Sequence, residues 1–320
     1  MSNKVYGKIL QGVGGLYSVR ITSDDHTDKN LIGHTVSCRA RGSFRHNNLS
    51  PLAGDNVTLS STRDEKADSS EEYVIEEICE RKNSLIRPPI ANLDYLFVTL
   101  SAAKPTPILS TIDKLISIAE FNEIEPIIVI TKCELDTEYA EKLKEIYQKS
   151  GFTVFCLSAV ENIEIESIHS FIQNALPNKL AAFAGASGIG KSTLLNRLFP
   201  SLSLSTSEIS KKIQRGKHTT RKVELFPVIL DNNVSCGYVA DTPGFSMLDF
   251  ERFNFFEKDD LVYTMREFRP YINQCKYTKC SHTKEEGCAI IAALKDGKIP
   301  PSRHQSFCEL YDVLKAKTKW

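Results

Sequence analysis

The stretch that most constrains this 320-residue chain is Gly185–Ser192, GASGIGKS. It fits G-x-x-x-x-G-K-[ST]. An apolar run that reads as a strand, LAAFAGA, leads into it, and KSTLLNRLF (191–199) reads as a helix behind it. The motif requires that strand–turn–helix context. Only a glycine-rich turn lets successive backbone N–H groups converge on a phosphate. The N-terminus of the following helix adds partial positive charge. Gly185, Ala186, Ser187, Gly188, Ile189, Gly190, Lys191, Ser192 and Thr193 are then the residues that enclose a di- or triphosphate. Lys191 is placed to bridge the β- and γ-phosphates, and Ser192 to hold Mg²⁺.

A phosphate loop does not choose a base. Asp241-Thr-Pro-Gly244, after CGYVA, looks like a D-x-x-G element. Asp241 would reach Mg²⁺ through water and the Gly244 N–H would sense the γ-phosphate. Base choice falls to a second strand, EPIIVIT (125–131), which delivers Thr131, Lys132 and Glu134 into a turn. A carboxylate accepts hydrogen bonds from guanine N1–H and its exocyclic amine; adenine offers no such donor pair, and the wrong base leaves the carboxylate unpaired. Glu134 stands where the N/T-K-x-D signature usually has Asp, so the loop must absorb one more methylene. Lys132 would lie along the base edge. One strand–helix unit later, Ser158-Ala159 fits the short element that contacts guanine O6 through backbone N–H. The base-reading element therefore precedes the phosphate loop by roughly fifty residues, the reverse of the usual order. The same parallel sheet can be made from either connectivity if the cut falls in a surface loop.

Around this centre the chain changes character twice. Residues 1–82 carry five short runs rich in β-branched and aromatic residues, broken by Gly, Asp and Asn, and suit an all-β OB-fold barrel. Within ERKNSLIRPPIA (81–92) the Pro-Pro pair reads as a linker. Residues 83–250 alternate strands with amphipathic helices, as in TIDKLISIAEF (111–121), and predict a doubly wound α/β P-loop GTPase domain, circularly permuted. Residues 251–320 read as a small, mainly α domain, in which Ser302 with Gln305 resembles a capping box. Here Cys275, Cys280, His282 and Cys288 follow C-x₄-C-x-H-x₅-C. Thiolates and imidazole suit tetrahedral Zn²⁺, and four protein ligands leave no open position for catalysis. A structural zinc site would hold together a domain with little core. The remaining six cysteines, 38, 79, 133, 156, 236 and 308, read as buried or incidental.

Lys and Arg number 40 against 40 Asp and Glu, but the balance is uneven. Residues 211–222, KKIQRGKHTTRK, carry six Lys/Arg plus His218 and no acid, and Arg39, Arg41 and Arg45 cluster in the barrel. Such stretches let a neutral protein meet a polyanion at defined points. The apolar runs are too short to cross a bilayer. Cysteines without a secretion signal point to reduced thiols or metal ligands. The expectation is a cytoplasmic protein without membrane contact, and nothing suggests an oligomer rather than a monomer.

RPPIANLDYLFVTLSA (87–102), TKCEL, GASGIGKSTLLN, EISKKIQRGKHTT (208–220), DTPGF and YTKCSHTKEEGCA (277–289) together resemble the RsgA/YjeQ family, circularly permuted GTPases of small-ribosomal-subunit biogenesis. The resemblance spans nearly the whole chain. It implies an OB-fold, a permuted GTPase domain and a zinc domain. It also implies GTP hydrolysis to GDP and phosphate stimulated by the small subunit, with that subunit and its rRNA as partners late in maturation. GKHTT matches the family's switch I stretch, which makes Thr219 or Thr220 the Mg²⁺/γ-phosphate contact. Phe245 follows DTPG where many GTPases carry a water-orienting Gln, and His218 is the candidate replacement. Two other classes remain to be weighed. An ATP-dependent kinase or metal-inserting GTPase is disfavoured by TKCE and by a closed four-ligand site. A non-catalytic RNA-binding clamp is disfavoured by intact Lys191, Ser192 and Asp241.

Overall fold

In the barrel strands alternate apolar residues turn to one face, and the strands close on themselves to bury it. The structure, a computed structural model, describes residues 4–24, 31–42, 44, 50–61, 73–200, 223–230, 235–241 and 255–317. Strands β1 (Val5–Val13), β2 (Leu16–Asp24), β3 (Thr35–Ala40), β4 (Asn56–Ser61) and β5 (Tyr73–Ile78) form a closed barrel in the order β1-β2-β3-β5-β4. Four of the pairings are antiparallel and β3–β5 is parallel. Ile9, Val19, Ile21, Cys38, Val57, Leu59 and Ile75 are buried in its interior, each large aliphatic side chain contributing about 1.5–3 kcal/mol.

The segment expected to be a linker is ordered instead. β6 (Ser84–Leu85) and β7 (Ile90–Ala91) pair antiparallel, with the two prolines in the turn between them. Leu85, Ile90 and Ala91 are buried. Asn83 exchanges two 2.9 Å hydrogen bonds with the Leu93 backbone, and Arg81 forks onto the buried Asp55 at 2.7 and 2.8 Å. Pro-Pro breaks regular structure locally, but burial of its neighbours decides the outcome.

A six-stranded sheet follows: β8 (Tyr95–Ser101), β9 (Glu125–Thr131), β10 (Thr153–Leu157), β11 (Leu180–Ala184), β12 (Glu224–Leu230) and β13 (Ser235–Asp241), in the order β10-β9-β8-β11-β13-β12. β8, β9 and β10 run parallel, as do β11 and β13, while β12 is antiparallel to β13. β9 is buried along six consecutive residues, as expected of a parallel strand covered on both faces. Helices α1 (Leu109–Phe121), α2 (Thr137–Lys149), α3 (Ile165–Ala175) and α4 (Lys191–Leu198) connect the strands. The winding reverses between β8 and β11, the point where ligands bind beyond the strand ends in open α/β sheets.

The periodicity of α1 foretells its buried Ile112, Leu115, Ile116 and Ala119, but Asp113 and Ser117 are buried with them. Asp113 accepts from Tyr147 of α2 at 3.2 Å, and Ser117 lies 4.0 Å from the Met265 sulfur; the C-terminal region holds two 3₁₀ turns (Leu261–Thr264, Arg266–Tyr271) and helices α5 (Ala289–Lys295) and α6 (Pro301–Lys317). Arg303 of α6 is fully buried and donates to Asp113 at 2.6 Å and to Glu267 at 2.7 and 3.3 Å. Arg266 joins Glu120 and Glu125 at 2.6 Å each. The capping box expected at Ser302 is absent. α6 begins at Pro301, the Pro300 carbonyl accepts from Arg303 and His304, and Ser302 Oγ is buried without a partner among the described residues. Gln305 bonds Glu309 instead. Proline at the first helical position already fits a helix start, which displaces Ser302 into the first turn.

The chain separates into two compact units. One holds Met1–Asp94, Leu176–Ala182 and Ser210–Phe245; the other holds Tyr95–Ala175, Phe183–Ile209 and Ser246–Trp320. No helix among the described residues is long and apolar enough to cross a membrane.

Candidate nucleotide site and Cys/His cluster

The second unit contains both the phosphate loop and the base-reading turn. β11 is buried throughout and ends at Gly185, whose φ is +152°. A Cβ there would lie 2.5 Å from the Thr99 carbonyl oxygen and 2.5 Å from Ile189 Cδ1, so only glycine lets the chain leave β11 so close to β8. Gly190 caps α4 at φ +94°. α4 buries Leu194, Leu195 and Leu198, which leaves Lys191, Ser192 and Thr193 at its outer first turn. Ala186, Ser187 and Gly188 are exposed, and Ile189 is buried beneath them. Lys191 Nζ donates back to the Gly185 carbonyl over 3.3 Å, a long contact that phosphate oxygens can displace.

The base-reading turn is tied to this loop directly. Thr131 Oγ1 stands 2.6 Å from the Ile189 carbonyl and 3.1 Å from that of Leu100; its single proton serves the shorter contact. Lys132 adopts a left-handed φ of +58° and donates to the carbonyls of Gly188 at 2.9 Å and Lys104 at 2.8 Å. Two elements some fifty residues apart are thus locked side by side. Beside them Glu134 Oε2 is buried with no hydrogen-bond partner among the described residues. An unsatisfied buried acceptor costs about 1–3 kcal/mol, more when charged. Ser158 is fully buried. Its N–H goes to the Ile163 carbonyl at 3.2 Å and its hydroxyl accepts from the Glu161 N–H at 3.0 Å, while Ala159 is half-buried beside it.

Asp241 ends β13, and its side chain lies outside the described residues, as do His218, Thr219, Thr220, Gly244 and Phe245 in their entirety. Arg45 lies there too, and Arg41 pairs with Glu76 at 2.7 Å.

Cys275, Cys280, His282 and Cys288 come together with their ligand atoms all within 4.8 Å of one another. Cys275 and Cys288 sulfurs are 3.8 Å apart, and His282 Nδ1 is 3.4 and 3.5 Å from them. Bonds of about 2.3 Å to sulfur and about 2.05 Å to nitrogen give a tetrahedron with edges of about 3.8 and 3.5 Å. The three edges among Cys275, His282 and Cys288 match that tetrahedron, with the Cys280 ligand atom within 4.8 Å of each. One contributor escaped the sequence reading. The Glu285 carboxylate accepts from the backbone of Ser281 (2.8 Å), Thr283 (3.2 Å) and Lys284 (3.2 Å), and from the Ser281 hydroxyl. Burial would raise its pKa, but these donors outweigh burial and hold it at about 2. They fold the turn that presents His282. The available signal was an acid three residues from two ligands, amid Ser and Thr donors.

The RsgA N-terminal domain family matches residues 6–67, and the RsgA GTPase family matches residues 78–251. A Bacillus subtilis (strain 168) relative, small ribosomal subunit biogenesis GTPase RsgA, is 38% identical over 314 residues, covering 97% of each chain. A relative of the same name from Caldanaerobacter subterraneus subsp. tengcongensis is 35% identical, covering 99% of this chain and 98% of its own. Among solved structures, YjeQ from Thermotoga maritima matches with a TM-score of 0.76 at 30% identity, over 98% of this chain and 99% of that one. YloQ, described as a circularly permuted GTPase, matches at 0.73 and 32%, over 98% and 96%. Fold, site and full-length similarity agree: the chain belongs to the RsgA GTPase family, enzymes built on a circularly permuted GTPase fold.

Proposed function

We propose that this enzyme binds the small ribosomal subunit late in its maturation, through its rRNA, and there hydrolyses GTP to GDP and phosphate with stimulation by the subunit. The relatives' names support the partner. The observation that carries the nucleotide choice is the orphaned Glu134 Oε2 beside the Thr131–Ile189 lock. In this reading Glu134 accepts from guanine N1–H and the amine, and Lys132 lies along the base. The Ser158 N–H is committed to Ile163, so the Ala159 N–H serves guanine O6. Backbone amides from Gly185 to Thr193 cradle the phosphates, and Lys191 leaves Gly185 for the β- and γ-phosphate oxygens. Ser192 and Asp241 would hold Mg²⁺, with Thr219 or Thr220 as the switch contact. When bound, Mg²⁺ neutralises charge on the β- and γ-phosphates. The Gly244 N–H senses the γ-phosphate and His218 orients the attacking water.

The metal of the Cys/His cluster is zinc in this reading, because three thiolates and an imidazole are its preferred set and a filled tetrahedron is structural. The C-terminal segment, residues 211–222 and the barrel's Arg39, Arg41 and Arg45 face rRNA. Docking there fixes the switch, so hydrolysis by the free protein is slow. The protein works as a cytoplasmic monomer cycling between GTP and GDP, away from membranes. The test is GTP turnover with and without purified small subunits, alongside sedimentation with GTP analogue, GDP or no nucleotide. The expected result is stimulated turnover and binding favoured by the analogue. Turnover indifferent to the subunit sinks the proposal.

A further inference from the structure

Two thiols that nucleotide binding does not use stand inside its site. Cys133 lies between Lys132 and Glu134, and Cys156 lies two residues before Ser158. Both are buried, at 5% and 7% exposure. The β9–β10 register pairs Cys156 with Ile130. The Cys133 N–H donates to the Leu157 carbonyl at 3.4 Å, and Cys133 Sγ turns back to within 3.3 Å of the Ile130 carbonyl. Its sulfur therefore sits against the strand position that carries Cys156. The two thiols are near neighbours, and their interaction pushes the Cys133 thiol up and draws the Cys156 thiol down. Cys156 is thus the readier thiolate, with Cys133 poised to resolve it.

We propose that Cys133 and Cys156 form a reversible disulfide when the protein meets hydrogen peroxide, and that this bond weakens guanine-nucleotide binding. The proposal rests on the reading of Glu134 as the guanine acceptor. The Cys156 thiolate attacks one peroxide oxygen; the O–O bond breaks, hydroxide leaves and takes a proton, and Cys156 becomes a sulfenic acid. The Cys133 sulfur then attacks the Cys156 sulfur. The S–O bond breaks, and the departing hydroxide carries off the Cys133 proton as water. Two thiols and one peroxide give one disulfide and two waters, with two electrons passing from sulfur to oxygen. A dithiol reverses the step by exchange.

The consequence follows from which partner is held. Cys156 lies in a strand paired along its length with β9, whereas Cys133 lies past the end of β9, in the turn. A disulfide draws the sulfurs to about 2.05 Å, inside any non-bonded sulfur contact. The turn must follow, and it carries Lys132 and Glu134.

The experiment treats nucleotide-free, reduced, full-length protein with a few equivalents of hydrogen peroxide. Linked peptides are mapped by mass spectrometry, and GDP affinity is measured before and after. The expected result is a 133–156 link two hydrogens lighter, GDP binding weaker by about tenfold or more, the size of one lost charge-assisted hydrogen bond, and recovery with dithiothreitol. Cys156→Ser and, should serine unfold that buried site, Cys156→Ala are expected to bind GDP normally before peroxide and to keep doing so after it. No 133–156 link, a link with unchanged affinity, or a loss that persists in the Cys156 variants overturns the proposal; the last would trace to the metal-cluster thiols. Reduced wild type that does not bind GDP strikes the underlying reading of the site instead, and the proposal falls with it.

Discussion

Glu134→Gln is the substitution that asks the site what it recognises. The change keeps the side-chain shape and touches neither the Thr131–Ile189 bond nor the Lys132 bridge to Gly188. Among the described residues Oε2 has no partner to lose, so the melting temperature is expected to stay within a degree or two of wild type. Guanine presents two adjacent donors. The carboxylate accepts both, whereas the amide accepts one and turns its NH₂ toward the other. Two hydrogen bonds to a charged group, at about 1.5–3 kcal/mol each, amount to about 3–6 kcal/mol, or about 10²- to 10⁴-fold in Kd. Xanthine replaces the exocyclic amine with a carbonyl, which the amide NH₂ can donate to, so the variant is expected to favour XDP over GDP. Glu134→Asp withdraws the carboxylate by one methylene and is expected to fall between wild type and Gln. The assay is displacement of a fluorescent GDP analogue by GDP, XDP and ADP. A Gln variant that binds GDP within threefold of wild type refutes the assignment, whatever its hydrolysis rate.

Two further outcomes follow from buried charge. Arg303→Met leaves Asp113 and Glu267 buried without their shared cation, and is expected to destabilise by about 3–5 kcal/mol in denaturant unfolding; a loss below about 1 kcal/mol refutes that account. For Glu285, the folded carboxyl sits at about 2 against an ordinary 4.5. A depressed acid stabilises fully above its unfolded pKa and loses that contribution as pH falls toward the folded one. In metal-free protein, the stability gap between wild type and Glu285→Gln is therefore expected to be level from pH 7 to about 5 and to shrink below that. A gap that widens on acidification reverses the sign and refutes the account.

What could be read from the chain alone divides by the range of the forces involved. Gly185 and Gly190 are demanded by their own backbone angles, and β9 by its own unbroken apolar run, so motif and element were visible locally. The reversed motif order was visible for the same reason, because each motif announces its strand end wherever it stands in the chain. The failures are all long-range. Ser302 carries a start signal, but Pro301 sets the start and Arg303, buried against Asp113 across 190 residues of sequence separation, fixes which face turns inward. Asp113 looks like a solvated residue on an amphipathic helix until the cation that neutralises it is in place. Residues 81–92 read as a break because Pro-Pro is a strong local signal, and became a hairpin because Leu85, Ile90 and Ala91 find a core. Cys133 and Cys156 are the sharpest instance. Nothing in either local stretch marks a pair; the β9–β10 register sets Cys156 beside Ile130, and the turn after β9 brings the Cys133 sulfur back to the Ile130 carbonyl. Chain order decides which motif is met first, but neighbours in the sheet are decided by burial and register. Those two forces bring the turn at Thr131 and Lys132 against the Ile189 and Gly188 carbonyls of the phosphate loop, whichever loop is left uncut.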